Sequence, residues 1–422
     1  MNILHILKNS LPYISGSTIR SKNILENQKK FANVYAYTGY NFKSDKKYER
    51  IDGIEYFRAN PKLSIFLRTY NLFIQKIRKI LYKFLYININ SILSFLEIPI
   101  SIITRKEIKK LVKGLNIDVI HQHSECQIGS ISLRVARKLS IPYIYEVRAF
   151  LEDGIIVGSG KWRLGGKRLI RYVYNNIRIP ETKILEKADV ITTLCGPMKG
   201  EIVSRGISKD KIYIVPNGVD IVNINEKVPF NPVLPIIGYI GTIEKHEGIS
   251  ILIKVISLLT FAIPKIKLYL IGNAEDSYLR ELKSLTKKLK CEENIVFVGR
   301  ISYDKVKEYY RFIDIVVIPR LNRRVCRLVT PIKPLEAMAY KTLVIASDLP
   351  ALRYVIDPYV TGVLFHPEFV TELMNKLTYY INHPIEKLAI ECRARRYVEE
   401  NFSWDKNIFK YKEIYEKLIY SK

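Results

Sequence analysis

The residues best suited to chemistry stand in one short run, Pro331-Ile332-Lys333-Pro334-Leu335-Glu336-Ala337-Met338-Ala339-Tyr340, followed by Leu343-Val344-Ile345-Ala346-Ser347-Asp348. The run reads as a turn, a short helix and a buried strand. Two prolines fix the backbone entering the helix, and proline in a first helical turn costs little because its N–H would be unpaired there anyway. A lysine beside unpaired backbone N–H groups at a helix start suits a phosphate. Glu336 falls one turn in, on a helix otherwise too apolar to want it. It is either a functional carboxylate or a surface glutamate on an ordinary amphipathic helix.

The elements that must position these residues follow a rhythm of strand, loop and helix. Short β-branched runs occur at Ile3–Leu7, Val34–Thr38, Val119–His121, Tyr143–Glu146, Val190–Thr193 and Ile212–Val215, most of them separated by helical patterns. This is the signature of a parallel α/β sheet. A polar, proline-containing stretch without regular period follows Pro216-Asn217-Gly218-Val219-Asp220 and runs to Pro235, so a domain boundary belongs there. The rhythm restarts at Ile236–Ile240, Leu268–Ile271, Ile295–Val298, Ile315–Ile318, Leu343–Ala346 and Val363–Phe365, and an amphipathic helix from Trp404 to Ile419 closes the chain. A length of 422 residues suits two such domains. Two doubly wound sheets would face one another across a cleft, with ligands at the C-terminal ends of their strands. The expected division is 1–220, 221–400 and a terminal helix, 401–422, packing back toward the first domain.

Composition narrows the classes. A hydrophobic fraction of 48% with 26% charged residues describes an ordered globular protein. Cys126, Cys195, Cys291, Cys326 and Cys392 have neither disulfide nor metal spacing and read as reduced cytosolic thiols. No segment is long enough without charge to span a bilayer, and the first residues read as a strand rather than a signal peptide. The formal charge of +27 calls for a partner. Nucleic acid is one candidate, but no nucleic-acid motif is present. The charge is densest where it mixes with large apolar residues. Between positions 63 and 96, Arg68, Lys76, Arg78, Lys79 and Lys83 stand among Leu, Ile, Phe and Tyr. That pattern suits a helix lying on an anionic membrane, apolar face down, and equally describes a core helix with solvated lysines. A second basic run, Lys161 to Arg178, extends the same face or binds an anionic acceptor.

Several segments in order carry a family resemblance: NSLPYISGSTIRS after the first strand, DVIHQHS, YEVRAFLED, ADVITTLC, VPNGVD, IGYIGTIEKHEG, VGR, and IPR with LVTPIKPLEAMA beyond it. Together they span nearly the whole chain, including the final Phe402-Ser403-Trp404. In this order the chain resembles a retaining family 4 glycosyltransferase of GT-B fold, and more narrowly the bacterial exosortase-associated subgroup. The fold class so implied is α/β, with two doubly wound Rossmann-like domains: an acceptor-side domain first, carrying a basic amphipathic insertion, then a donor domain for a nucleotide sugar.

The resemblance implies a site. Glu336 matches the second acid of the family's paired-glutamate motif, which holds ribose hydroxyls, and charged acceptors make the stronger hydrogen bonds. Lys333 and the N–H groups of Leu335 and Glu336 would lie near the diphosphate, with Thr330 and Pro331 beside them. Gly16, Ser17 and Thr18 match the glycine loop approaching donor phosphates or acceptor. His123 matches the histidine near the transferring sugar, although a satisfied histidine at a strand end would look the same. His121 shares its face, and His123 is preferred because it lies further toward the strand's C-terminal end. Glu146 and Arg148 either contact substrate or form a buried pair shaping the cleft.

Departures from the family fall where phosphate should bind. The family commonly has arginine and lysine where this chain has Thr242, after Gly241, and Glu247, before Gly248. The first acid of the paired motif falls at Leu328 and is missing, as its neighbour Arg327 is not acidic either. Arg300, Arg320 and Lys333 are the cations expected to converge on the phosphates instead, with Arg20 reaching across the cleft. No Asp-x-Asp follows an apolar strand, so no metal or other cofactor is expected. The expected activity is transfer of a sugar, with retention, from a nucleotide-diphosphate sugar to a glycan or to a polyprenyl- or other lipid-linked acceptor. It would serve polysaccharide or lipopolysaccharide synthesis on the cytoplasmic face of the cell membrane, without nucleic acid. Another GT-B enzyme such as a nucleotide-sugar epimerase, and a non-catalytic membrane- or polyanion-binding relative, are the alternatives.

Overall fold

In the computed structural model the described residues are 1–13, 15–60, 69, 98–153, 166–221 and 228–420. The chain divides into two compact units, the first comprising Met1–Leu194, Lys199–Val215 and Ile408–Lys422, the second Cys195–Met198 and Pro216–Asn407. Each is built on its own sheet.

The first sheet holds β1 (Asn2–Leu7), β2 (Asn33–Thr38), β3 (Tyr48–Ile51), β4 (Ile54–Arg58), β5 (Val119–His123), β6 (Tyr143–Val147), β7 (Val190–Thr193) and β8 (Ile212–Ile214). Their order is β3-β4-β2-β1-β5-β6-β7-β8. The six strands expected from the apolar runs all form, because Val, Ile and Tyr fit a pleated surface covered on both faces. The sheet is parallel, as expected, except at one edge. A hairpin, β3 with β4, adds an antiparallel edge pair. Its turn is Asp52-Gly53, both at positive φ (51° and 77°), the geometry a two-residue hairpin loop demands.

The second sheet holds β9 (Ile236–Ile240), β10 (Lys267–Ile271), β11 (Ile295–Gly299), β12 (Ile315–Ile318), β13 (Leu343–Ser347) and β14 (Val363–Phe365), all parallel, in the order β11-β10-β9-β12-β13-β14. Helix Ile249–Leu259 is apolar nearly all round and packs among Tyr239, Leu268, Val317 and Leu377 in the larger core.

In each sheet the chain winds outward in both directions from one adjacent strand pair, β1 and β5 in the first and β9 and β12 in the second. Loops leaving the C-terminal ends of such a pair diverge and leave a crevice, where open α/β sheets bind ligands. The fold therefore nominates two places before any side chain is considered.

The terminal helix, Trp404–Tyr420, begins among residues of the second unit and ends among those of the first. Val219 pairs with Ser403 in an isolated bridge, and a Cβ on Gly218 would stand 2.7 Å from the Trp404 ring. No helix among the described residues is long and apolar enough to cross a membrane. Arg68, Lys76, Arg78, Lys79 and Lys83, expected at a membrane surface, lie outside the described residues, as does part of the second basic run.

Candidate functional site

At the crevice of the second sheet, three elements meet. After β9 the chain turns through Gly241 and Thr242 into a 3-10 turn, Lys245–Glu247, ended by Gly248 at φ 76°. After β12 come Pro319 and Arg320, and helix Lys333–Ala339 follows with Pro334 in its first turn. The two loops are locked together: a Cβ on Gly248 would lie 1.9 Å from the Pro319 carbonyl oxygen, so only glycine closes this gap. A Cβ on Gly241, at φ 138°, would lie 2.2 Å from Lys333 Cε, because the lysine crosses directly over that residue.

Lys333 and Arg320 do come together, and what joins them is Glu247. Lys333 Nζ donates to Glu247 Oε2 at 2.8 Å and Arg320 Nη2 donates to Oε1 at 2.8 Å. Lys333 also donates to the Tyr239 hydroxyl at 2.7 Å, and that hydroxyl donates to the Thr242 carbonyl at 2.8 Å. Arg320 Nη1 donates to the Val329 carbonyl at 2.9 Å. Burial alone would raise the Glu247 pKa, but the charges of Arg320 and Lys333 outweigh it and hold the carboxyl far below its usual range. Burial lowers the Lys333 pKa despite Glu247. Glu336 stands one turn along the helix, touched by the Tyr310 hydroxyl at 3.4 Å, and burial pushes its pKa up to about 7.

Other expected donor residues are placed as follows. Thr330 and Pro331 are buried, and the Thr330 carbonyl accepts from Asn217 at 3.0 Å. Leu335 is fully buried core. Thr242 and Arg300 are exposed, Arg300 immediately after β11. The expected use of the Glu336 N–H toward a phosphate is corrected: it donates to the Ile332 carbonyl at 3.1 Å, inside its own helical turn.

At the crevice of the first sheet, register does the positioning. Parallel pairing sets His5 beside His121, and His123 beside Glu146. Glu146 is fully buried and accepts from Arg20 Nε at 2.9 Å, from Arg148 Nε at 2.5 Å and from the Tyr411 hydroxyl at 2.5 Å. Burial would raise its pKa, but Arg148 and Arg20 hold it well below the usual carboxylate range. Arg20, expected to reach toward the phosphates, is instead committed here. Its Nη2 donates to the Val215 carbonyl at 2.9 Å and to Tyr411 at 3.1 Å. Glu146 and Arg148 form a buried ion pair.

From Arg148 a closed circuit of side chains runs back to Glu146, and each partner fixes the next. Arg148 can only donate, so His123 Nδ1 accepts from its Nη2. His123 is neutral, since burial and then Arg148 hold its pKa well down, so Nε2–H donates to His5 Nδ1 at 2.7 Å. His5 Nε2–H donates to Gln28 Oε1 at 2.8 Å, Gln28 donates to the Tyr415 hydroxyl at 2.9 Å, and Tyr415 donates to His121 Nδ1 at 2.7 Å. His121 Nε2, which carries the neutral ring's proton, then lies 3.3 Å from Glu146 Oε2 without hydrogen-bond alignment. Both nitrogens of His123 are thus taken by protein, which leaves none for a sugar in this arrangement.

The ring nitrogens of His5, His121 and His123 offer one atom each within 4.8 Å of one another, a spacing that could hold a metal ion. The set does not fit one. Both nitrogens of His5 and of His123 are spent on the circuit, and the Arg148 guanidinium bonded to His123 would repel a cation. Near the opening, Gly16 and Ser17 are exposed at the start of helix Gly16–Gln28, and a Cβ on Gly16 would meet nothing within 4 Å. Thr18, expected at the donor, is a capping residue: its hydroxyl accepts from the Ser15 N–H at 2.7 Å while the Thr18 N–H reaches the Ser15 side chain.

Sequence reasoning missed His5, Gln28, Tyr239, Tyr411 and Tyr415. The four-residue spacing of Tyr411 and Tyr415, which puts them on one face of the terminal helix, was the available signal.

The comparisons agree with this architecture. The profile of glycosyl transferases group 1 matches residues 220–397 and that of Glycosyltransferase Family 4 matches residues 60–222. An uncharacterized glycosyltransferase of Methanocaldococcus jannaschii is 24% identical over 74% of this chain and 78% of its own length. The alpha-monoglucosyldiacylglycerol synthase of Streptococcus pneumoniae is 20% identical over 61% of this chain and 58% of its own. Sucrose-phosphate synthase from Thermosynechococcus elongatus shares the fold, with a TM-score of 0.74 at 17% identity over the whole of both chains. The chain therefore has the GT-B fold, two Rossmann-like α/β domains, with a Glycosyltransferase Family 4-like region followed by a glycosyl transferases group 1 region.

Proposed function

We propose that the protein transfers a sugar from a nucleotide-diphosphate sugar to a glycan or lipid-linked acceptor, with retention of anomeric configuration and without a metal. The observation that carries this is the meeting of Lys333 and Arg320 at the second sheet's crevice, with Glu336 one helical turn away. Cleaving a glycosyl phosphate bond leaves negative charge on the departing diphosphate. Two cations fixed in a partly desolvated crevice stabilise that charge most where it develops, which is how such sites lower a barrier. Ionised Glu336 suits vicinal ribose hydroxyls, and its pKa of about 7 makes that acceptor strength pH-dependent. Among the described residues of the crevice no side chain offers itself as a covalent nucleophile, which favours attack by the acceptor on the leaving-group side. The Streptococcus relative, named an alpha-monoglucosyldiacylglycerol synthase, supports a lipid acceptor, and the sequence's basic apolar segment supports a membrane surface.

A thermal-shift titration tests the donor site, with UDP, GDP, ADP, CMP and dTDP each added with and without magnesium. One nucleotide should raise the melting temperature irrespective of magnesium, and Lys333→Ala and Glu336→Ala, shown to be folded by circular dichroism, should lose both that shift and transfer. Wild-type turnover in either variant would overturn the assignment.

A further inference from the structure

Glu247 is the least expected residue of the second crevice. Its two oxygens are divided between the two cations, 2.8 Å to each, with Arg320 Nε a further contact at 3.4 Å and His246 Nε2 at 3.7 Å from Oε1. It is itself 4% exposed, whereas the Lys333 side chain is 14% exposed. The carboxylate therefore sits where an anion bridging Lys333 and Arg320 would sit. We propose that Glu247 is a resident anion of this crevice, which the phosphate of an incoming nucleotide must displace, so that it sets how strongly the site prefers diphosphate over monophosphate. The inference rests on the donor-site reading above.

Physical reasons favour displacement over co-occupancy. Lys333, Arg320 and Glu247 sum to a single positive charge, too little for a diphosphate that meets both cations while the carboxylate stays between them. The backbone cannot yield, because Gly248 is wedged against the Pro319 carbonyl. Release must come from side-chain rotation of Glu247 alone. A monophosphate brings less negative charge and gains less from that rotation. A carboxylate serving only to orient the two cations would have the opposite signature, since removing its charge would loosen them and weaken every phosphate ligand.

The experiment is isothermal titration of wild type and Glu247→Gln with the diphosphate that protects the wild type, and with its monophosphate counterpart. Glutamine keeps the side chain's shape and removes its charge. The diphosphate should bind the variant on the order of tenfold more tightly, and the diphosphate-to-monophosphate affinity ratio should rise. Glu247→Asp, too short to reach both cations, should change in the same direction by less, and serves if the glutamine variant does not fold. Equal or weaker diphosphate binding in folded variants overturns the proposal and leaves the donor site standing. If no nucleotide binds wild type or variant, the donor-site reading itself fails, and this inference with it.

Discussion

A buried carboxylate with three partners and a ring of neutral histidines is sensitive to any single atom removed. Tyr415→Phe leaves Gln28 Nε2 and His121 Nδ1 without the hydroxyl that joins them. Urea denaturation should show a loss of about 1–3 kcal/mol, the usual cost of stranding buried polar groups. Acid should act on the same circuit. Burial lowers the pKa of His5, His121 and His123, so the folded chain stays neutral where the unfolded chain takes up protons, near pH 6.5. Their contribution is complete above that pH and declines as pH falls through it, by about 1 kcal/mol for each histidine at pH 5.5. Flat stability between pH 7.5 and 5.5 would show that the histidines charge freely in the fold. At this scale the sequence was only partly legible. Lys333, Arg320 and the Glu146–Arg148 pair could be named, but not Glu247 as the group that joins the two cations, nor Arg20 and Tyr411 at Glu146. Whether Arg20 turns to a phosphate or to Glu146 depends on contacts from residues far along the chain, which no local pattern records.

Strands were the most legible elements, since a β-branched run between turn signals leaves few alternatives. The β3–β4 hairpin went unread because Tyr48–Ile51 is polar and largely uncovered, so it lacks an apolar run, although Asp52-Gly53 marked its turn. Loops carry the tighter constraints. Gly241→Ala would press a Cβ against Lys333 Cε at a φ that side chains avoid, driving the lysine from Glu247 and Tyr239. Calorimetric titration should show nucleotide affinity reduced severalfold while most of the stability remains. Gly248→Ala should behave differently, because its new atom meets the Pro319 backbone rather than a side-chain end that can yield. Its melting temperature should fall further than that of Gly241→Ala. Comparable melting temperatures would mean that the two loops are less firmly locked than their geometry states.

At the scale of the molecule, 68 basic against 41 acidic residues give a formal charge of +27, the sign that anionic lipid headgroups favour. Neutralising Lys76, Arg78, Lys79 and Lys83 together should release the protein from vesicles containing phosphatidylglycerol in a sedimentation assay, with nucleotide binding unchanged. Undiminished vesicle binding would return that segment to a core role. The order in which the molecule is made is a separate matter, and it follows from the terminal helix. Tyr411 and Tyr415, which bond Glu146, Arg20, Gln28 and His121, are translated only after the whole of the second unit. At ordinary ribosomal rates that interval is on the order of ten seconds or more. Throughout it, Glu146 and the histidines of the first unit wait beneath an uncovered surface. The half of the protein synthesised first is thus the half completed last, and a nascent chain halted before Ile408 would expose that gap to chaperones and proteases.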